Sequence, residues 1–452
     1  MTFDTAKNIH FIGIGGIGMS ALARRALAHG ARVTGSDSHT SDITESLKKL
    51  GAQIFNIQQA DNVPRDCDFV VITKAIAQDN PELKNIIKRK LPHQYYSEVL
   101  GDISKAHTTI AVTGTHGKTT TSSLIAHLLK FANRPFGAFL GGISTNLGSN
   151  YYNTNKAGNQ ALTVTEADEF DRSFLTLSPN IAIITSMDAD HLDIYKTGDA
   201  LKESFFDFIK KIEIGGTLFI KHDLQYPQSE SVTVKTYGIN SGDYRATNIR
   251  IEEGWFTFDF EGEKEGWQGL QLGILGTHNI ENAVAAIAVC LKLGISDTLI
   301  KDGLKAFKGV KRRFEFISRE KDFIFIDDYA HHPTELEAFI QSVRLLYPNR
   351  KITGVFQPHL FSRTKDFASG FAQSLSLLDT AILLDIYPAR ELPIEGVTSD
   401  IIFKDISSPQ KFLSTKETVI DLLKDLKPEI ILTIGAGDID TLVQPICNAL
   451  KQ

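Results

Sequence analysis

The stretch IAVTGTHGKTTTS, from Ile110 to Ser122, decides the fold class of this chain. Its first half, IAVT, is typical of a buried β-strand, and TTTS opens a run with helical periodicity. Gly114 and Gly117 form a turn between the two, followed by Lys118 and Thr119. A strand, a glycine turn and a helix N-terminus in this order indicate a phosphate-binding loop, because the turn and the helix present unpaired N–H groups.

One position of this loop departs from the common pattern G-x-x-x-x-G-K-[ST], since Val112 stands where that pattern has its first glycine. We interpret the difference as a shortened loop. In it Lys118 neutralises the charge of β/γ-phosphates and the Thr119 hydroxyl binds Mg²⁺. The alternative is a strand that turns into a helix without binding anything.

Composition narrows the class of protein. The chain has 452 residues, enough for about three domains, with 42% hydrophobic and 23% charged residues. A net charge of −6 without a basic stripe argues against nucleic-acid binding. No apolar run suggests membrane insertion and no secretory signal is apparent, so we expect a cytoplasmic protein. Three scattered cysteines predict neither a disulfide framework nor a metal site.

Valine- and isoleucine-rich runs alternate with helical patterns along the whole chain, which predicts an α/β fold with parallel sheets. A strand, turn and helix series starts anew near residues 8, 107 and 320. We therefore expect three domains, at residues 1–105, 106–314 and 315–452. The stretch 231–275 is expected to add antiparallel strands to the second domain.

A second glycine turn lies near the N-terminus. Gly13, Gly15 and Gly18 have the spacing G-x-G-x-x-G between a predicted strand and helix, and Asp37 closes the next strand. Glycines in such a unit admit a diphosphate close to the backbone, and the acid accepts ribose hydroxyls. The fingerprint alone leaves NAD, FAD and a sugar nucleotide open.

Acidic residues and a histidine follow two further predicted strands. ALTVT ends in Glu166, and IAIIT leads into a segment that contains His191. Ligands gather at the carboxyl ends of parallel strands, so both side chains are candidates for a metal on the phosphates held by Lys118 and Thr119.

Ordered motifs now give a resemblance that spans the whole chain. They are GIGGIGMS (13–20), GSD (35–37), DNPEL (79–83), GTHGKTTT (114–121), EADEFDRSFL (166–175), DADHLD (188–193), GTHNIENAVAA (276–286), KRRFE (311–315), DDYAHHPTE (327–335), FQPHLFSRT (356–364) and GAGDI (435–439). In this content and order the chain resembles the Mur ligases, the ATP-dependent amide ligases that build the peptide of bacterial cell-wall precursors.

The resemblance implies a Rossmann-like N-terminal domain for a UDP sugar, a central ATPase domain of P-loop type with the added strands, and a Rossmann-like C-terminal domain that closes over the site. It implies ATP and Mg²⁺, with Thr119, Glu166 and His191 as metal ligands. ATP is expected at Gly114, Thr115, His116, Gly117, Lys118, Thr119, Thr120, His278, Asn279, Asn282, Arg313 and Asp328. The UDP sugar is expected at Gly13, Gly15, Gly16, Ile17, Gly18, Met19, Ser20, Asp37, Thr73 and Lys74.

The amino-acid end of the site is expected at His331, His332, His359 and Arg363, and the catalytic set at Lys118, Glu166, His191, His331, His332 and Arg363. Several positions depart from the family, among them Ser186 and Asp188, where asparagine and glutamate are common. Leu360 stands where an arginine often follows QPH, and Thr73 with Lys74 replaces the usual serine pair. Lys202 lies a few positions too early to match the carbamylated lysine of later ligases, so we expect no modified lysine.

The expected reaction joins L-alanine to the lactyl carboxylate of UDP-N-acetylmuramate through an acyl phosphate, in a monomer or weak homodimer. One alternative within the family is a recycling ligase that adds a ready-made tripeptide to the same UDP sugar. Outside it, a dinucleotide-dependent oxidoreductase would leave Lys118, Glu166 and His191 unexplained. A regulatory protein that binds nucleotide without catalysis is the remaining alternative.

Overall fold

The N-terminal part of the chain forms a parallel sheet flanked by helices. The computed structural model describes residues 1–154, 162–190, 192–389 and 391–451. The strands are β1 (Asn8–Ile12), β2 (Arg32–Ser36), β3 (Gln53–Phe55), β4 (Phe69–Ile72) and β5 (His93–Tyr95), and the helices are α1 (Ile17–Ala28), α2 (Asp42–Lys49), α3 (Pro81–Arg89) and α4 (Tyr96–Ala106). The strand order is β3-β2-β1-β4-β5 and the neighbours are parallel. This is the Rossmann-like arrangement expected from the N-terminal glycine turn at Gly13, Gly15 and Gly18.

The central part forms a larger sheet. Its strands are β6 (Thr108–Thr113), β7 (Gly137–Ser144), β8 (Ser149–Asn153), β9 (Leu162–Glu166), β10 (Ile181–Ile184), β11 (Thr217–Lys221), β12 (Thr233–Ile239), β13 (Tyr244–Glu252), β14 (Trp255–Glu261) and β15 (Gly266–Gln271). Its helices are α5 (Lys118–Phe131), α6 (Leu192–Tyr195), α7 (Gly198–Ile209), α8 (Thr277–Lys292) and α9 (Asp297–Ala306). The order is β15-β14-β13-β12-β11-β10-β6-β9-β7-β8, which places β6 between β10 and β9.

The C-terminal part has a third sheet, in the order β16-β17-β21-β18-β19-β20. Its strands are β16 (Glu315–Arg319), β17 (Ile324–Asp328), β18 (Ile352–Phe356), β19 (Thr380–Leu383), β20 (Gln410–Leu413) and β21 (Ile430–Ile434), and its helices are α10 (Pro333–Leu346), α11 (Phe361–Asp366), α12 (Ala368–Leu375), α13 (Asp400–Phe403), α14 (Val419–Leu426) and α15 (Val443–Leu450). Short 3-10 helices cover Phe3–Thr5, Ala60–Asn62, Phe170–Thr176 and Asp438–Leu442. Only β16 runs antiparallel to its neighbour among the pairings described in this sheet.

The α/β class and the three-part organisation are thus confirmed. By compactness the chain divides into two units. The first comprises Met1–Thr247, Phe260–Trp267 and Glu281–Phe307, and the second comprises Asn248–Asp259, Gln268–Ile280 and Lys308–Gln452. The division passes through β13, β14 and β15, so it follows the predicted boundary near residue 315 only approximately. The domain limits at 105 and 315 stay predictions.

One expectation about the added strands was wrong. Strand β12 pairs with β13 in parallel, with Tyr237 opposite Tyr244 and Ile239 opposite Ala246. The connection between them contains Asn240 at φ 58° and Gly242 at φ 100°, both left-handed. Alternating apolar residues predict strands but not their direction, which depends on how such a connection turns.

A continuous apolar core joins the N-terminal sheet to the first half of the central one. It contains Phe11 of β1 and Leu22 of α1 together with Phe174, Phe205 and Phe208. Phe174 stacks on Phe208 at 5.0 Å between ring centroids and meets Phe205 edge-on at 5.5 Å. Because Phe174 lies near the end of the acidic motif EADEFDRSFL, this packing anchors that motif to the core. In the described part of the chain no helix is long and apolar enough to cross a membrane.

Helix α4 packs tightly on the 3-10 helix Phe170–Thr176, which contains the second half of the acidic motif. A Cβ on Gly101 would lie 2.7 Å from the Thr176 carbonyl oxygen, which is backbone and cannot rotate away. Glycine to alanine in a helix ordinarily stabilises by about 1 kcal/mol. We expect Gly101→Ala instead to destabilise the protein by about 1–3 kcal/mol, as overpacking does. The unfolding midpoint in denaturant measures this.

Gly198→Ala on α7 is the matched control, because a Cβ there would make an ordinary contact at 3.4 Å with Ala189. It should leave the midpoint unchanged or raise it slightly. Equal effects of the two substitutions would contradict the packing argument.

Candidate active site

The phosphate loop lies at the carboxyl end of β6, as the sequence predicts. Val112 belongs to the buried strand and pairs with Ile183 and Glu166 on the neighbouring strands. The turn follows, and Gly117 caps α5 at φ 83°, a left-handed conformation that favours glycine. The non-glycine residue at 112 therefore belongs to the strand, and the loop itself spans only the residues between β6 and α5.

Lys118 is held by a buried acid that the sequence argument did not single out. Its Nζ lies 2.9 Å from both carboxylate oxygens of Glu169 and donates to the Gly114 carbonyl at 2.7 Å. Glu169 is fully buried. Burial alone would lower the pKa of Lys118, but the charges of Glu169, Asp168 and Glu166 outweigh it and raise that pKa above its ordinary value. Lys118 is therefore a permanent cation at the helix N-terminus.

Thr119 and Glu166 lie together at the same end of the sheet. The Thr119 hydroxyl donates to Glu166 Oε2 at 2.8 Å, and the Gly141 N–H donates to the same oxygen at 3.1 Å. A hydroxyl and a carboxylate are the hard oxygen ligands that suit Mg²⁺, which usually takes few protein ligands and completes its shell with water and phosphate. The described residues contain no cluster of three or more His, Cys, Asp or Glu side chains able to hold a metal. The pair thus fits a Mg²⁺ shared with phosphates, not a closed protein cage.

His191, the third expected metal ligand, lies outside the described residues. The segment before it contacts the phosphate loop from β10. Ser186 Oγ accepts the N–H of His116 at 2.8 Å, and the Thr115 hydroxyl donates to the Asp188 carbonyl at 2.8 Å. These two hydrogen bonds hold the phosphate loop against the segment that follows β10. Thr120 follows Thr119 in the first turn of α5 and is buried.

The residues of α8 that are predicted to bind ATP are divided between the two compact units. In the first unit, Asn282 faces the loop so closely that a Cβ on Gly117 would lie 2.5 Å from its Oδ1. In the second unit, Asn279 is buried and donates to the Leu275 carbonyl at 2.6 Å, and His278 lies next to Gly276.

The N-terminal glycine turn brings its predicted acid into place. Asp37 Oδ2 accepts the Gly15 N–H at 2.8 Å, and Thr73 lies against Gly13 at the ends of β1 and β4. Gly16 is exposed and Ile17 is half-buried. Lys74, at the same edge of the sheet, pairs with Asp171 of the acidic motif at 2.8 Å.

Two of the predicted sugar-binding residues are used inside the protein. Met19 is buried, and the fully buried Ser20 hydroxyl donates to the Ile17 carbonyl at 2.8 Å. The side-chain amide of Asn150, on β8, donates to the Ile17 carbonyl at 2.6 Å and to the Ser20 hydroxyl at 2.9 Å. Tyr96, which sequence reasoning missed, lies with its ring against Gly18, and Glu166 and Asp168 are near enough to add to the burial that raises its pKa. The N-terminal glycine turn and the acidic motif are therefore neighbours.

In the second unit, Asp328 accepts the N–H groups of Phe314 and Ala330, both at 2.7 Å. Burial raises the pKa of Asp328 to about 7, and the nearby Arg313 opposes this shift. Arg313 also lies 3.7 Å from Glu335 and its guanidinium stands over the Tyr329 ring.

Glu335 lies between Arg313 and His331 and contacts both. The sequence alone assigned no role to it. Its Oε2 accepts the His331 N–H at 3.0 Å and lies 3.3 Å from His331 Nδ1. The same Nδ1 is 3.0 Å from the Tyr329 carbonyl oxygen. Since a carbonyl only accepts, Nδ1 carries the proton.

The remaining residues that are predicted to bind the amino acid lie near His331. The rings of His331 and His359 are 6.3 Å apart, and Arg363 Nη1 lies 3.4 Å from His359 Nδ1. His332 has a different role, because its Nδ1 accepts the Thr334 N–H and caps helix α10. Leu360 is buried and has a left-handed backbone, at φ 68°. Its apolar side chain cannot form the ion pair that an arginine would form with a carboxylate. Lys202, on α7, is exposed.

Family comparison agrees with the order of these parts. The model described as Mur ligase family, catalytic domain, matches residues 8–108, the Mur ligase middle domain matches 112–290, and the Mur ligase, glutamate ligase domain matches 312–437. The chain belongs to the Mur ligase family.

Individual Mur ligases match over the full length. The UDP-N-acetylmuramate–L-alanine ligase of Flavobacterium psychrophilum is 46% identical over 100% of both chains. The solved UDP-N-acetylmuramate–alanine ligase of Thermotoga maritima is 29% identical with a TM-score of 0.83, covering 98% of this chain and 99% of that one. A murein peptide ligase from Psychrobacter arcticus is 25% identical with a TM-score of 0.70, covering 98% of each chain.

Asp327, beside Asp328 on β17, provides a pH test of the second unit. Burial raises its pKa to about 6, although Thr433 and Arg312 oppose the shift. The unfolded chain ionises this residue near pH 4, so stability should fall as the pH rises from about 4 to 6, while the folded state keeps the proton. Asp327→Asn keeps an oxygen for the Thr433 hydroxyl, which donates to Asp327 at 2.6 Å.

We expect Asp327→Asn to gain stability relative to the parent chain across that window and to differ by a constant amount above it. Unfolding midpoints between pH 4 and 8 measure the difference. Exposed Asp366→Asn is the control. A pH-independent difference for Asp327→Asn would refute the assignment.

Proposed function

We propose that this chain joins L-alanine to the lactyl carboxylate of UDP-N-acetylmuramate, with ATP converted to ADP and phosphate. The observation that carries the proposal is the full-length 46% identity to a ligase of that name. The phosphate loop, the glycine turn and the histidine cluster support it. We also propose that the reaction takes place in the cytoplasm and that the protein is a monomer or weak homodimer.

The chemistry explains why a phosphate loop is needed. A carboxylate is a poor electrophile because oxide is a prohibitive leaving group, so it must first attack the γ-phosphate and become an acyl phosphate. Phosphoryl transfer depends on positioning and on neutralising charge. Lys118, kept cationic by its acidic neighbours, supplies that charge at the N-terminus of α5. Mg²⁺, which we assign to Thr119, Glu166 and His191, would offset further phosphate charge.

The amine of L-alanine must lose a proton as it attacks the acyl carbon, which requires a base. The hydrogen bonds favour His331 over His332. His331 Nδ1 lies against the Tyr329 carbonyl oxygen, and Glu335 is placed to stabilise the imidazolium that forms when the ring accepts a proton. In His332, by contrast, Nδ1 already accepts the Thr334 N–H as a helix cap. Arg363 and His359 remain our candidates for the alanine carboxylate, which Leu360 cannot bind.

The recycling ligase is the nearest rival, and the structural likeness to the murein peptide ligase from Psychrobacter arcticus is the lower of the two, at 0.70 against 0.83. Turnover decides between them. We expect phosphate release to require ATP, UDP-N-acetylmuramate and L-alanine together. Turnover with the tripeptide L-alanyl-γ-D-glutamyl-meso-diaminopimelate but not with L-alanine would establish the rival, and release without either substrate would exclude a ligase.

Lys118→Ala should lower kcat by about 10²–10³-fold, the effect of losing one group that stabilises transition-state charge. The affinity for UDP-N-acetylmuramate, measured by calorimetry, should change by less than about fivefold. The N-terminal glycine turn, where we expect this ligand, lies on a different sheet from Lys118. Since Lys118→Ala leaves the buried Glu169 carboxylate without this cation, Lys118→Ala/Glu169→Gln is the control for folding. A loss of UDP-sugar affinity as large as the loss of turnover would refute the two-site assignment.

His331→Ala should lower kcat by about 10²–10⁴-fold, the range of general-base catalysis, and remove the fall of kcat toward acid pH. His332→Ala should mainly lower stability, by about 1 kcal/mol for a lost helix cap, with the pH profile retained. Profiles of kcat against pH for both variants, with unfolding midpoints, make the test. The reverse pattern would assign the base to His332.

A further inference from the structure

The acidic motif connects the sugar-binding loop to the phosphate loop through two ion pairs. Within six residues, Glu166 holds Thr119, Glu169 holds Lys118, and Asp171 holds Lys74. Lys74 belongs to the edge of the N-terminal sheet, whereas Lys118 belongs to the phosphate loop. One short segment is therefore bound at one end by the predicted UDP-sugar site and at the other by the predicted ATP site.

The Lys74 contact is made to the backbone as well as to the side chain. Its Nζ lies 2.8 Å from Asp171 Oδ2 and 3.3 Å from the Asp171 carbonyl oxygen. Asp171 and Arg172 both have left-handed backbones, at φ 52° and 56°. Non-glycine residues disfavour this conformation, so it persists only while surrounding contacts hold it. Lys74 is one of those contacts.

An anionic ligand group has room to compete for Lys74. Lys74 and Asp171 line a cavity of about 270 Å³ together with Thr73 and Tyr95. Both partners of the ion pair are about two-fifths exposed, at 41% and 43%. An exposed pair is weak, and a diphosphate or carboxylate that enters the cavity would replace Asp171 at the lysine.

We propose that the Lys74–Asp171 ion pair couples the binding of the UDP sugar to the binding of ATP. The inference rests on the proposed function for the identity of the two ligands. The anionic UDP sugar draws Lys74 from Asp171, the left-handed segment relaxes, and the grip of Glu169 on Lys118 weakens. Lys118 then turns to the ATP phosphates at a lower cost. Lys74 acts here as a positioning residue, through Asp171.

Calorimetry with the non-hydrolysable analogue adenylyl imidodiphosphate, with and without saturating UDP-N-acetylmuramate, measures the coupling. In the parent chain the UDP sugar should raise analogue affinity about two- to fivefold, the range set by an exposed ion pair. By linkage the analogue must raise UDP-sugar affinity by the same factor. In Asp171→Asn and Lys74→Ser, analogue affinity should already be raised without UDP sugar, and the ratio should fall to about one.

Two variants serve as controls. Lys74→Arg keeps the charge and should keep the coupling. Lys48→Ser removes a surface ion pair of the same 2.8 Å length and similar exposure on α2, and should keep it as well. Turnover gives an independent readout, since Asp171→Asn should lower the KM for ATP at subsaturating UDP sugar while kcat at saturation stays unchanged.

A coupling ratio that is the same in the parent chain, Lys74→Ser and Asp171→Asn would overturn the inference, as would a ratio of one in a parent chain that binds both ligands. Failure of the parent chain to bind UDP-N-acetylmuramate at all would overturn the proposed function together with this inference. The two failures are therefore distinguishable.

Discussion

The buried ion pair between Lys118 and Glu169 is the constraint on which the rest of the site depends. A lysine beside a phosphate loop must be cationic, yet it sits where burial favours the neutral amine. The carboxylate that restores the charge must itself be buried, and removing one partner of such a pair costs about 3–5 kcal/mol. The sheet order answers this requirement, because β9 lies directly beside β6 and delivers the acidic motif to the loop.

The same motif explains why the first compact unit combines parts of two predicted domains. Phe174 anchors the end of the motif in a core that also contains residues of β1 and α1. Tyr96, at the start of α4, lies between the N-terminal glycine turn and the carboxylates of the acidic motif. An acidic segment without this packing would be a solvated loop and could not hold three carboxylates in fixed positions. The apolar core therefore contributes directly to the electrostatics of the site.

In the second unit, hydrogen bonds give neighbouring histidines different surroundings. His331, His332 and His359 are indistinguishable by residue type, and the chain order gives them no ranking. His331 Nδ1 lies against a backbone carbonyl oxygen and the Glu335 carboxylate, whereas His332 Nδ1 caps a helix. Neighbouring residues with the same side chain thus receive different roles from the backbone around them.

By itself the sequence determined the α/β class, the shortened phosphate loop and the family, because periodicity, glycine spacing and motif order are local properties of the chain. Only the tertiary structure decided that Glu169 holds Lys118, that Asp171 holds Lys74, that Glu335 lies between Arg313 and His331, and that β12 runs parallel to β13. These partners come from different strands and helices. Which acid meets which base depends on strand order, turn direction and burial, and none of these can be read from the residue types alone.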